Sequence, residues 1–167
     1  MAHLDPSSAE VLVFTFKEGL LSAVAHDLKL RVTKFGVDVD GGQVTAEFDP
    51  TSLRVVNAMK DGKDDPGALP GFAFGEIEKN IVNDVLEAKR HPAIRFETTS
   101  ITDAQVTGRL TLHGQTKSLT GTRKDEGGRK VAEFRFDQRD FGIKPFSAML
   151  GALKIKPEIV VRVSLSA

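Results

Sequence analysis

The sequence predicts a mainly β fold, an antiparallel β-barrel with one main α-helix. Three observations carry this expectation. Several segments of strand length place apolar residues at every second position, short Gly- and Asp-rich turns separate them, and one mid-chain stretch spaces its apolar residues by four. Many strands joined by short turns, with no internal repeat, linker or low-complexity segment, favour closure into a barrel. The chain of 167 residues therefore reads as one domain, 1–167. A domain of this length buries roughly 70% of the surface its unfolded chain exposes.

The first strand is Val11-Leu-Val-Phe-Thr-Phe16, rich in β-branched and aromatic residues and preceded by a Pro-Ser-Ser turn. Next, Leu28, Leu30 and Val32 alternate with Lys29, Arg31 and Thr33. The apolar phase then shifts to Phe35, Val37 and Val39, the pattern expected of a β-bulge inside one long bent strand. Asp40-Gly-Gly42 is a hairpin signal, and residues 43–49 and 51–57 continue the meander around Pro50. Residues 58–71 hold three Gly, two Pro and three Asp, which predicts a long mobile loop.

The helix is expected over roughly residues 74–89. Ile77, Ile81, Val85 and Ala88 form its apolar stripe, Val82 and Leu86 widen it, and His91-Pro92 stops it. Its polar face mixes both signs of charge, which fits packing on a barrel better than lying on a membrane. Strands are then expected at 95–101, 106–113, 118–124, 131–138 and 158–165. Pro145–Leu153 reads as a short irregular turn, and Pro157 opens the last strand.

Composition excludes several function classes. Lys plus Arg equal Asp plus Glu at 23 each, so no basic surplus points to nucleic acid. No apolar run approaches the roughly 20 residues of a membrane-spanning helix. Cysteine is absent, which removes disulfides, thiolate metal sites and a cysteine nucleophile. The amino terminus lacks the basic start, apolar run and cleavage site of a secretory signal, so the expected compartment is cytoplasmic unless a leader was removed. All eleven aromatic residues are Phe. A site built from them would select ligands by shape and apolar surface, because only Tyr and Trp carry a hydrogen-bonding handle.

No catalytic constellation stands out. The histidines lie apart at His3, His26, His91 and His113, without zinc-binding spacing, so neither metal nor cofactor is expected. His26 beside Asp27 could serve as an acid–base pair in a small hydrolase or isomerase, although a hydrogen-bonded strand-start histidine is the commoner case. No nucleophile elbow, dinucleotide fingerprint or phosphate loop occurs. The expected protein is therefore not an enzyme.

The spacing of apolar pairs suggests an enclosed volume. Phe14 and Phe16, Ile94 and Phe96, Leu110 and Leu112, and Phe134 and Phe136 each share one face of a strand. These eight residues are the candidate ligand-binding set. Thr15, Arg95, Arg109 and Arg135 fall on the opposite faces. Basic residues near one rim, such as Lys117, Arg123 or Lys144, could meet an anionic head group. The competing expectation is a barrel with a filled core, acting as an interaction module through residues 58–71.

The sequence resembles the YceI-like family of lipid-binding barrels. The resemblance rests on Leu4-Asp-Pro6, on Asp84-Val-Leu-Glu-Ala-Lys-Arg-His-Pro-Ala-Ile-Arg-Phe96 and on Val106-Thr-Gly-Arg-Leu-Thr-Leu-His-Gly-Gln-Thr-Lys117. Arg139-Asp-Phe-Gly-Ile143 and an apolar last strand follow in the same order. It implies an extended lipocalin-like barrel that binds or carries a polyisoprenoid or another long-chain lipid in an apolar tunnel. It also allows a homodimer and a periplasmic location, where such proteins often occur.

Overall fold

The computed structural model describes residues 2–18, 25–148, 151 and 153–166. Thirteen strands form one antiparallel sheet that curls into a half-barrel. In chain order they are β1 (Ala2–Leu4), β2 (Ala9–Lys17), β3 (Asp27–Val32), β4 (Phe35–Asp40), β5 (Gln43–Phe48), β6 (Leu53–Lys60) and β7 (Lys63–Asp65). After helix α1 (Phe72–Asn80) come β8 (Ile94–Ile101), β9 (Gln105–Leu112), β10 (Gln115–Glu126), β11 (Arg129–Asp137), β12 (Ser147–Ala148) and β13 (Leu153–Ser166). The spatial order is β1-β4-β5-β8-β9-β10-β11-β13-β2-β3-β6-β7, with β12 paired to β13. No helix among the described residues is long and apolar enough to cross a membrane.

The curl is tied at one corner. β3 pairs with β6 and β4 with β5, so the chain passes from one end of the sheet order to the other between Val32 and Phe35. The expected bend is present, but its extra residues sit on the partner side. Between the pairs Val32–Leu53 and Phe35–Phe48, only residues 33–34 face residues 49–52. Those four include a 3-10 turn, Pro50–Ser52, capped by the Asp49 carboxylate on the Thr51 N–H at 2.8 Å. The buried Ser52 then serves both sides. Its carbonyl accepts the Thr33 N–H at 3.0 Å, and its hydroxyl oxygen accepts the Lys34 N–H at 3.0 Å.

The segment expected to be a loop starts as a hairpin. β6 runs on to Lys60, turns at Asp61-Gly62 with φ of 52° and 77°, and returns as β7. An Asp-Gly dipeptide is a strong hairpin signal, and the lack of apolar alternation around it hid the flanking strands. The last strand also begins early, at Leu153, with Pro157 inside it. β13 spends four residues from Ile155 to Ile159 where β2 spends two from Lys17 to Thr15, and proline without an N–H fits that irregularity. The turn expected over residues 145–153 falls partly outside the described residues.

The helix differs from its expected span of 74–89. α1 covers Phe72–Asn80 and widens into a π-helical turn over Ile81–Val85, where the Leu86 N–H reaches the Ile81 carbonyl at 2.8 Å. Glu87, at φ 48°, ends the coil before His91-Pro92 can. The helix is fastened to the sheet by Glu78, whose carboxylate accepts the Val55 N–H of β6 at 2.9 Å.

Candidate functional site

Inside the barrel lies a cavity of about 1030 Å³. Alternation along the strands explains its lining, since each strand offers every second side chain to the interior. β13 contributes Ile159, Val161, Val163 and Leu165, and β11 contributes Phe134 and Phe136. One end is covered by the helical segment through Ile77, Ile81, Val85 and Leu86. The stripe read from the sequence thus faces the cavity except for Ala88, which is buried elsewhere, and Val82.

Six of the eight candidate residues converge on this space: Ile94, Phe96, Leu110, Leu112, Phe134 and Phe136. Phe96 and Phe134 meet edge to face with centroids 5.3 Å apart. Phe14 and Phe16 are not part of the lining. On β2 that place belongs to Val11, Val13 and Thr15, so both Phe side chains stand on the opposite, outer face. There Phe14 pairs across the sheet with Lys29 and Val160, while Leu12 pairs with Arg31 and Arg162. The aliphatic stems of such residues cover apolar surface while their charges stay in water, which lets an outer face carry Leu and Phe. Arg95, Arg109 and Arg135 are exposed outside, as their phase requires.

Polar groups in the lining are few. Among the described residues, Arg123 and Lys130 are its cations and no carboxylate joins them. Both sit beside the β10–β11 turn, at the end away from α1, whereas Lys117 and Lys144 are not in the lining. Thr98 is satisfied, its hydroxyl accepting the Val44 N–H at 2.9 Å. Thr15 Oγ1 is buried without a hydrogen-bond partner among the described residues. Neither His26 nor Asp27 reaches the cavity, and Asp27 accepts the Lys17 N–H at 2.8 Å.

The fold also assembles a group that spacing along the chain could not reveal. His113 Nε2 lies 2.7 Å from Glu87 Oε2, and His113 Nδ1 lies 3.2 Å from the Phe141 carbonyl. The His91 ring stands 4.2 Å from that of His113, centroid to centroid. The hydrogen bond to His113 is the main reason the Glu87 carboxyl titrates below its ordinary value of 4.5. Twenty-six residues separate Glu87 from His113, so the turn after the helix and the β9–β10 hairpin meet only in three dimensions.

Comparison with known proteins agrees with this architecture. A UPF0312 protein of Pseudomonas putida is 38% identical over 85 residues, 41% of this chain and 44% of the relative. The match thus spans less than half of the relative's length. In three dimensions the chain superposes on Burkholderia cenocepacia BcnA with a TM-score of 0.61, at 16% identity and 94% coverage of both chains. A mutant CJ YCEI protein solved with a monobromobimane guest gives a TM-score of 0.50, at 14% identity and 84% coverage of both. The YceI-like domain family matches residues 3–167, and this chain belongs to that family.

Proposed function

We propose that this protein is a non-enzymatic binder and carrier of a long-chain apolar amphiphile, a polyisoprenoid in first place, held in the barrel interior. The observation that carries the reading is the cavity of about 1030 Å³ walled by aliphatic and phenyl side chains. That volume stands at the top of the roughly 300–1,000 Å³ typical of small-molecule sites. Each buried methylene contributes about 0.8 kcal/mol, and micromolar affinity needs about 8 kcal/mol. Two prenyl units reach that sum in gross transfer free energy, and further units offset the cost of immobilising the chain. Arg123 and Lys130 at one end suit the polar head of such a molecule, with its tail directed toward the helix-covered end.

The test is mass spectrometry of an organic-solvent extract of the purified protein, run beside the Leu110→Phe variant. Leu110 lines the cavity, and the larger ring should occupy ligand space at a stability cost of about 1–3 kcal/mol. Wild type should yield a long-chain isoprenoid or similar lipid, and the variant markedly less. Equal lipid in both, or none in either, would falsify the assignment.

A further inference from the structure

We propose that Glu87, His91 and His113 bind one divalent transition-metal ion, zinc being the best match to two imidazoles and a carboxylate. One ligand atom from each residue can be chosen so that all three lie within 4.8 Å of one another. The site lies outside the cavity lining, so it does not depend on the amphiphile reading.

The tautomer of His113 is fixed by its surroundings. A backbone carbonyl can only accept, so the contact between His113 Nδ1 and the Phe141 oxygen places a proton on Nδ1. The 2.7 Å approach of Nε2 to Glu87 Oε2 requires a proton or a cation between the two, and an ion that displaces the proton meets the Nε2 lone pair and the carboxylate together. An imidazole whose second nitrogen donates to a carbonyl is the usual form of a metal-ligating histidine.

The other two ligands are placed with similar economy. Glu87 and His91 are four residues apart on one turn, closed by the His91 N–H on the Glu87 carbonyl at 3.0 Å. Arg90 engages Glu87 through Oε1 at 3.1 Å, which leaves Oε2 for the ion. His91 rests on Gly114, where a Cβ would stand 2.9 Å from its Nδ1. Ligands at zinc distances of about 2.0–2.2 Å sit about 3.3 Å apart in a tetrahedron. The Glu87–His113 pair would need to open slightly and His91 to swing inward. All three side chains are half-buried, leaving a fourth position to solvent. A bound ion would join the turn after the helix to the β9–β10 hairpin.

The test uses tag-free full-length protein stripped with a chelator, titrated calorimetrically with zinc chloride and spectroscopically with cobalt. The expected result is one equivalent of zinc bound, a raised melting temperature, and visible cobalt bands of tetrahedral intensity. His91→Phe keeps the ring volume and removes both nitrogens, and it should weaken binding at least about tenfold, as should Glu87→Gln. His26→Ala should bind like wild type. A far-ultraviolet circular dichroism spectrum matching wild type establishes that each variant is folded. Absence of saturable zinc binding, or affinity unchanged by either His91→Phe or Glu87→Gln, overturns the site.

Discussion

At the scale of single residues, two glycines set how closely the phenyl rings can lie against the sheet. A Cβ on Gly108 would stand 2.2 Å from Phe96 Cζ, and one on Gly121 would stand 2.7 Å from Phe134 Cδ1. The Phe96–Phe134 pair therefore rests directly on the backbone of β9 and β10. Gly108→Ala should cost about 1–3 kcal/mol, because the ring must leave its rotamer or the strands must part. Urea unfolding measures this, and a loss near zero would show that Phe96 is free to move into the cavity. Alternation made most of the lining legible: β8, β9 and β11 carry polar or charged residues in the opposite phase. β2 resisted the same reading. In Val11-Leu-Val-Phe-Thr-Phe16 both phases are apolar, and the polar Thr15 points inward while two phenyls point outward. Size and hydrophobicity alone select the wrong face there, since the cover over Phe14 comes from neighbouring strands.

At the scale of elements, the corner between β3–β4 and β5–β6 depends on one carboxylate. Asp49 accepts from the Thr51 hydroxyl at 2.6 Å and from its N–H at 2.8 Å, and these bonds hold the Asp49 carboxyl below its ordinary value of 3.8. A depressed carboxyl contributes stability that is fully present above its unfolded value and is lost as pH falls through the folded one. Asp49→Ala should therefore cost about 1 kcal/mol at neutral pH, the usual effect of losing a cap. The cost should shrink at a pH below the folded value, where wild type is itself protonated. Denaturation curves for both proteins at the two pH values decide it, and a pH-independent difference would remove the charge from the account. Strands and the helix were visible to periodicity because each repeats its signal over many residues. The helix end was not, because it is imposed from outside: Glu87 adopts a left-handed φ of 48° while His113, distant in sequence, holds its carboxylate. No glycine or asparagine marks that position.

At the scale of the whole molecule, a cavity of about 1030 Å³ is apolar space that the protein's own side chains leave unfilled. Unfilled apolar space forfeits dispersion contacts, so the ligand-free barrel should be less stable than a loaded one. A ligand present at 100 times its dissociation constant adds about 2.7 kcal/mol. Delipidated protein should therefore melt lower than protein as purified, and adding back a long-chain isoprenoid should restore the difference. Identical melting curves before and after solvent extraction would count against an occupied interior. The family relationship and the barrel were both legible from motifs spread along the chain. The Glu87–His91–His113 group was not, because the turn after the helix and the β9–β10 hairpin, distant in sequence, must fold before its members meet. The absence of Tyr and Trp has one more consequence, and it is optical. With no Tyr or Trp anywhere in the chain, the protein is nearly transparent across the near-ultraviolet band where other proteins absorb and fluoresce. A conjugated guest, such as a quinone head on a prenyl tail, would be the dominant chromophore of the complex, so the absorption spectrum of a purified sample would register such an occupant directly.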